Sequence, residues 1–163
     1  MLVGGGAARE ALIEQCDDAG LENVVFVPPV PKEKVDRYWG LCDLALVHLK
    51  DDPVFETVIP SKMFEAMAYA KPIVLAAPHG EAAELLENSG AGVWVPPAQP
   101  QALADLVASL ASDPERRRAI GQTGRQAAPR FSRENQAKYM LDVLERVIEG
   151  KDAQVIAPAR ALP

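Results

Sequence analysis

The sequence is poor in the residues that most often bind metal or form cross-links, with two cysteines and two histidines in 163 residues. Cys16 and Cys42 are too few and too far apart for a disulfide framework or a zinc site, and read as small residues in helices. Neither His48 nor His79 has a partner at metal-ligand spacing, and no HExxH is present, so no metal is expected. Long apolar runs are absent: nothing approaches the roughly 18 residues of a membrane span, and no signal peptide is visible, which points to the cytoplasm. Positive charge is in deficit, with 17 Lys and Arg against 23 Asp and Glu and a net charge of −6. That balance argues against a nucleic-acid binder and leaves any anionic ligand to local basic groups and helix N-termini. Two common motifs also fail. Gly4-Gly5-Gly6 follows an apolar run, but Arg9 stands where GxGxxG needs its last glycine. Ser61 lacks the flanking glycines of a nucleophile elbow.

What is present is a regular alternation. Apolar runs at Met1–Val3, Val24–Val27, Leu44–Val47, Pro72–Ala76 and Gly92–Val95 read as strands, continuous enough for parallel strands covered on both faces. Between them lie helical spacings. Ala8, Leu12, Cys16 and Ala19 predict one buried face, and Val35, Tyr38, Trp39 and Cys42 another. Gly80 precedes a helix holding Ala82, Leu85 and Leu86, with Gly90 near its end. After Pro100 the chain reads as helices over about 101–112, 115–128 and 132–149, with Ser132 as a cap for the last. Residues 151–163 read as a loose tail. The alternation predicts an α/β fold, a doubly wound, mostly parallel Rossmann-like sheet with helices on both faces and further helices at the C-terminus. Ligands of such sheets bind beyond the carboxyl ends of the strands. The loops at Gly4–Gly6, Pro28–Pro31, His48–Ile59, Ala77–Gly80 and Pro96–Gln99 therefore frame the expected site.

The stretch Ile59–Val74 is the most informative. Pro60 suits a first helical turn, and Lys71-Pro72 ends the helix. At about 100° per residue, Met63, Phe64, Met67 and Ala68 form an apolar stripe, and Lys62, Glu65 and Tyr69 share another. Free N–H groups at a helix start, an ammonium and a carboxylate on one stripe suit a ligand with a polyanion and a hydroxyl pair, as in a sugar diphosphate. A solvated Lys–Glu pair on an ordinary helix is the alternative. The three glycines read equally as a close-approach loop or a tight turn, and Glu81 as a ligand contact or a surface helix start.

These segments resemble, in order, the donor-binding C-terminal domain of a GT-B glycosyltransferase, and more narrowly the retaining family called group 1 or family 4. The resemblance covers about residues 1–150. It rests on Val3-Gly4-Gly5-Gly6, Asn23-Val24 through Phe26 with Val30-Pro31, Cys42-Asp43-Leu44 and Gly90-Ala91-Gly92 to Pro97. Its most specific part is Glu65-Ala66-Met67-Ala68 with Lys71-Pro72-Ile73-Val74, and Asp113-Pro114 and Phe131-Ser132 extend it. Three positions depart: Pro28 and Ala70 stand where glycine is usual, and Thr57 where the family carries a first glutamate. The resemblance implies binding of a UDP-sugar with no cofactor. Glu65 would accept bonds from the ribose hydroxyls, Lys62 would face the diphosphate, and Val30 would meet the base through its backbone. Ser61, Thr57, Val58, Ile59, Gly4, Gly5, Gly6, Gly80 and Glu81 would line the donor.

The version Pro60-Ser61-Lys62 is similar to transferases that build bacterial surface polysaccharides, including transferases of amino sugars. The resemblance further implies that the family's first β-α unit and its acceptor domain are missing, so that the chain is an incomplete, inactive fragment or half of a split enzyme. Without that unit the five strands could still close in the order 2-1-3-4-5, an order known for doubly wound sheets. The whole enzyme is expected to transfer the sugar to a polysaccharide or lipid-linked acceptor, in association with the membrane periphery. An epimerase of UDP-amino sugars using Glu81 and Glu84, or a non-catalytic nucleotide-sugar-binding or interaction module, are the other readings.

Overall fold

The computed structural model describes residues 1–150; the expected tail over 151–163 lies outside the described residues. The chain divides into two compact units, Met1–Leu41 and the remainder from Cys42.

In the first unit, β1 (Leu2–Val3) pairs in parallel with β2 (Phe26–Val27), placing Leu2 opposite Phe26 and Val3 opposite Val27. Helix α1 (Arg9–Asp18) joins them, and a 3-10 turn at Lys32–Lys34 leads into α2 (Val35–Leu41). The expected inner residues Val35, Tyr38 and Trp39 are half-buried. The buried face expected on α1 is not formed: Ala8, Leu12 and Ala19 are exposed and only Cys16 is half-buried. A unit of this size with two-residue strands has too little surface to cover a helix face.

The second unit is built on three parallel strands, β3 (Ala45–His48), β4 (Ile73–Ala76) and β5 (Gly92–Val95), in that order. The register sets Leu46 opposite Val74 and Leu75 opposite Trp94. Every residue of β4 is buried, which is why its sequence is apolar without alternation. On β3, Ala45 and Val47 are buried and Leu46 and His48 exposed. Helices α3 (Ser61–Ala68), α4 (Glu81–Ser89), α5 (Pro100–Ser112), α6 (Pro114–Ala127) and α7 (Arg133–Ile148) follow, within a residue or two of the expected spans. Among the described residues the expected closure as 2-1-3-4-5 is not made, because β1 pairs only with β2 and β3 only with β4. Strands of two residues offer few ladder bonds, and the side chains of β1 are exposed rather than anchored in a core.

Two details correct the reading of α3. Its buried residues are Met63, Ala66 and Met67, while Phe64 is half-buried against Phe131 with ring centroids 5.3 Å apart and Ala68 is exposed. Phe131 holds one edge of the helix, so the stripe facing the sheet turns toward Ala66. Pro60 is the N-cap, with extended ψ, rather than a first-turn residue. The helix ends in a Schellman motif: Ala70 N–H donates to Met67 O at 3.0 Å and Lys71 N–H to Ala66 O at 2.9 Å. Ala70 holds φ +52°, a conformation that costs a non-glycine residue about 1 kcal/mol. Gly121 of α6 lies so close to the Ala70 carbonyl that a Cβ there would collide with it.

Candidate functional site

Because β3, β4 and β5 are parallel, His48, Ala76 and Val95 end at one rim of the second unit. The β3–α3 loop is ordered by its own polar groups. The Asp52 carboxylate accepts from Val54 N–H at 3.0 Å and starts a 3-10 turn over Pro53–Thr57. The Thr57 hydroxyl donates to Val54 O at 3.4 Å, and Val58 N–H donates to Phe55 O at 3.3 Å. Thr57 and Val58 are exposed and Ile59 half-buried.

The β4–α4 loop meets this turn. A Cβ on Gly80 would collide with the Glu56 carbonyl, so the two loops touch through bare backbone. The φ of Gly80 is −171°, open to any residue; closeness, not dihedral freedom, demands glycine there. Glu56 and Thr57 are thereby brought beside Gly80 and Glu81. Sequence reasoning missed how this loop is pinned. The Trp94 indole N–H on β5 donates to Ala77 O at 2.8 Å. His79 meets the edge of the same ring, centroids 5.0 Å apart, and its Nε2 lies 3.6 Å from Glu87 Oε1. A Trp at the end of a strand facing a loop one strand away was the available signal.

Helix starts at this rim share a property. Neither α3, α4 nor α5 has a side-chain cap, and Pro60, Gly80 and Gln99 occupy the N-cap positions. Helices α6 and α7 start elsewhere and are capped: Asp113 accepts from Arg116 N–H at 2.9 Å, and Ser132, as expected, from Asn135 N–H at 3.2 Å. First-turn N–H groups at the rim therefore keep their capacity for an anion. Ser61 is the first residue of α3 and exposed; Lys62 and Glu65 share its exposed face. Neither of the latter side chains makes a hydrogen bond or ion pair among the described residues. Glu81 is the first residue of α4, also exposed.

The first unit carries its own strand-end loops. Gly4 holds φ +131° and donates its N–H to Val27 O at 3.0 Å, so the glycine is required by the backbone there. A Cβ on Gly5 would lie 3.2 Å from the Pro29 ring, Gly6 is exposed, and Val30 is half-buried in the following turn. Among the described residues no cluster of three or more His, Cys, Asp or Glu could hold a metal, and no helix is long and apolar enough to cross a membrane.

Known proteins are similar to this chain in sequence and in fold. The D-inositol 3-phosphate glycosyltransferase of Xylanimonas cellulosilytica is 29% identical over 162 residues, 94% of this chain and 37% of that protein. The putative teichuronic acid biosynthesis glycosyltransferase TuaH of Bacillus subtilis is 35% identical over 54 residues, covering 33% of this chain and 14% of that protein. Among solved structures, Anabaena HepE in complex with UDP-glucose matches with a TM-score of 0.73 and 26% identity, over 88% of this chain and 40% of that one. Sucrose-phosphate synthase from Thermosynechococcus elongatus shares the fold, with a TM-score of 0.74 over 90% of this chain and 36% of that one, at 23% identity. The chain thus spans a little over a third of the length of relatives that it matches over nine tenths of its own length. The family profile "Glycosyl transferases group 1" matches residues 1–127, and the chain belongs to that family.

Proposed function

We propose that this chain is the donor-binding part of a retaining glycosyltransferase that uses a UDP-sugar. The observation that carries the reading is the rim of the second unit, where uncapped helix starts adjoin Lys62 and Glu65, both free of partners among the described residues. The Glu65 carboxylate accepts hydrogen bonds from the ribose hydroxyls. The Lys62 ammonium and the first-turn N–H groups of α3 and α4 face the diphosphate. Thr57–Ile59 and Gly80-Glu81 line the sugar. The match to a protein solved with UDP-glucose supports this ligand class.

Transfer breaks the bond from the sugar's anomeric carbon to the diphosphate oxygen and forms one to an acceptor hydroxyl, with configuration retained. The chain's contribution is positioning and, through Lys62 and the helix starts, part of the stabilisation of charge on the departing diphosphate. The acceptor is a surface polysaccharide or lipid-linked, the first supported by the relative named for teichuronic acid biosynthesis. The inositol-3-phosphate relatives favour a phosphorylated polyol as the alternative acceptor. Acceptor binding falls to polypeptide corresponding to the unmatched part of these relatives, nearly two thirds of the inositol-3-phosphate enzyme.

Calorimetric titration with UDP and with uridine tests the assignment. Glu65→Gln and Glu65→Ala should weaken both ligands by about tenfold or more. Lys62→Met should weaken UDP by a similar factor and leave uridine unchanged. Equal UDP affinity in wild type and Glu65→Ala would remove Glu65 from the site.

A further inference from the structure

The opposite end of the second unit's sheet gathers cations that the rim does not use. Asp43 and Pro72 lie just before β3 and β4, and beside them opens a cleft of about 210 Å³. Its polar lining is Asp43, Lys71, Arg117 and Arg118, and Pro114 at the start of α6 completes one wall. Lys71 Nζ donates to Cys42 O at 2.6 Å. Arg117 Nη1 donates to Leu110 O at 2.5 Å and to Ala111 O at 2.6 Å, closing the end of α5. Both cations are held in place by backbone, yet an ammonium has three donors and a guanidinium five, so each keeps some to offer. The side chain of Arg118 makes no hydrogen bond or ion pair among the described residues. Three cations against one carboxylate leave a formal charge of +2 lining the cleft (3 − 1), within a chain that carries −6.

We propose that this cleft is a second anion site, separate from the rim, that binds a phosphoryl group through Arg118, Lys71 and Arg117. Cations already fixed by backbone lose little freedom when an anion arrives, and a planar guanidinium matches two phosphoryl oxygens at once. The volume admits a phosphate or diphosphate. The phosphoryl group can be a free ion or the headgroup of an anionic lipid. The assignment rests on the cleft alone and is independent of the donor reading.

The test is site-resolved. Backbone amide shifts of the full chain are followed by NMR during titration with inorganic phosphate. In parallel, sedimentation is measured with vesicles of phosphatidylglycerol and, separately, of phosphatidylcholine. Phosphate should move the amides of residues 42–43, 70–72 and 115–118, and Arg118→Glu should lower the apparent affinity about tenfold, with Arg118→Ser intermediate. Sedimentation with phosphatidylglycerol but not phosphatidylcholine, lost in Arg118→Glu, would identify a lipid headgroup as the source and equally support the site. Shifts confined to residues 57–65 and 79–81, phosphate or vesicle binding unchanged in Arg118→Glu, or no response to either probe would overturn it.

Discussion

The two units repeat the same strand–helix alternation but differ in what they bury. In Met1–Leu41 no residue is buried, and Leu2, Val3, Leu12 and Val25 are exposed. From Cys42 onward the sheet has a dry centre of Met63, Met67, Ile73, Leu75, Leu86 and Leu110. Strand length explains much of it: two residues per strand in the first unit, four in each strand of the second. Two-residue ladders cannot present enough apolar surface to hold helices on both faces, whereas β4, paired on both sides, can. Stability therefore concentrates in the second unit, and so do the rigid loops of its rim.

The largest expected effect separates the two directly. Leu75→Ala should destabilise the chain by about 3 kcal/mol, because it empties a fully buried position in the central strand. Leu12→Ala, at a position 43% exposed on α1, should stay within about 0.5 kcal/mol. Urea denaturation midpoints check both, and a comparable loss at Leu12 would break the contrast. The rim glycines sharpen it. Gly80→Ala forces a side chain into the Glu56 backbone and should cost about 2 kcal/mol and weaken UDP binding in calorimetry. Gly5→Ala meets only the yielding Pro29 ring and should cost within about 0.5 kcal/mol. One further effect is a gain. Ala70→Gly should raise the thermal midpoint, adding about 0.5–1 kcal/mol, since glycine takes the left-handed turn after α3 without strain.

Much of the second unit was legible in the sequence. The unbroken apolar run over β4, Gly90 in the left-handed conformation at φ +62° after α4, and Ser132 capping α7 all follow from local rules. The exposed stripe of Lys62 and Glu65 was legible as well, since helical spacing alone puts them on one face. The placing of Ala66 inside and Ala68 outside was not. Both are small and apolar, and the choice between them depends on Phe64 meeting Phe131, a residue 67 positions along the chain (131 − 64). For the same reason the tie from Trp94 to Ala77 and the touch of Gly80 on Glu56 left no local mark.

Residue order by itself decided the alternation of strands and helices, their ends, and which charged groups share a helix face. These depend on dihedral preferences and on periodicities of a few residues, which the chain carries wherever it goes. Tertiary structure alone decided that the strands form two sheets rather than one, that Gly80 meets the Glu56 backbone, and that Lys71, Arg117 and Arg118 line one cleft. Each of these needs groups far apart in sequence to arrive at one place, and only the burial of β4 and its neighbours supplies the free energy that brings them there.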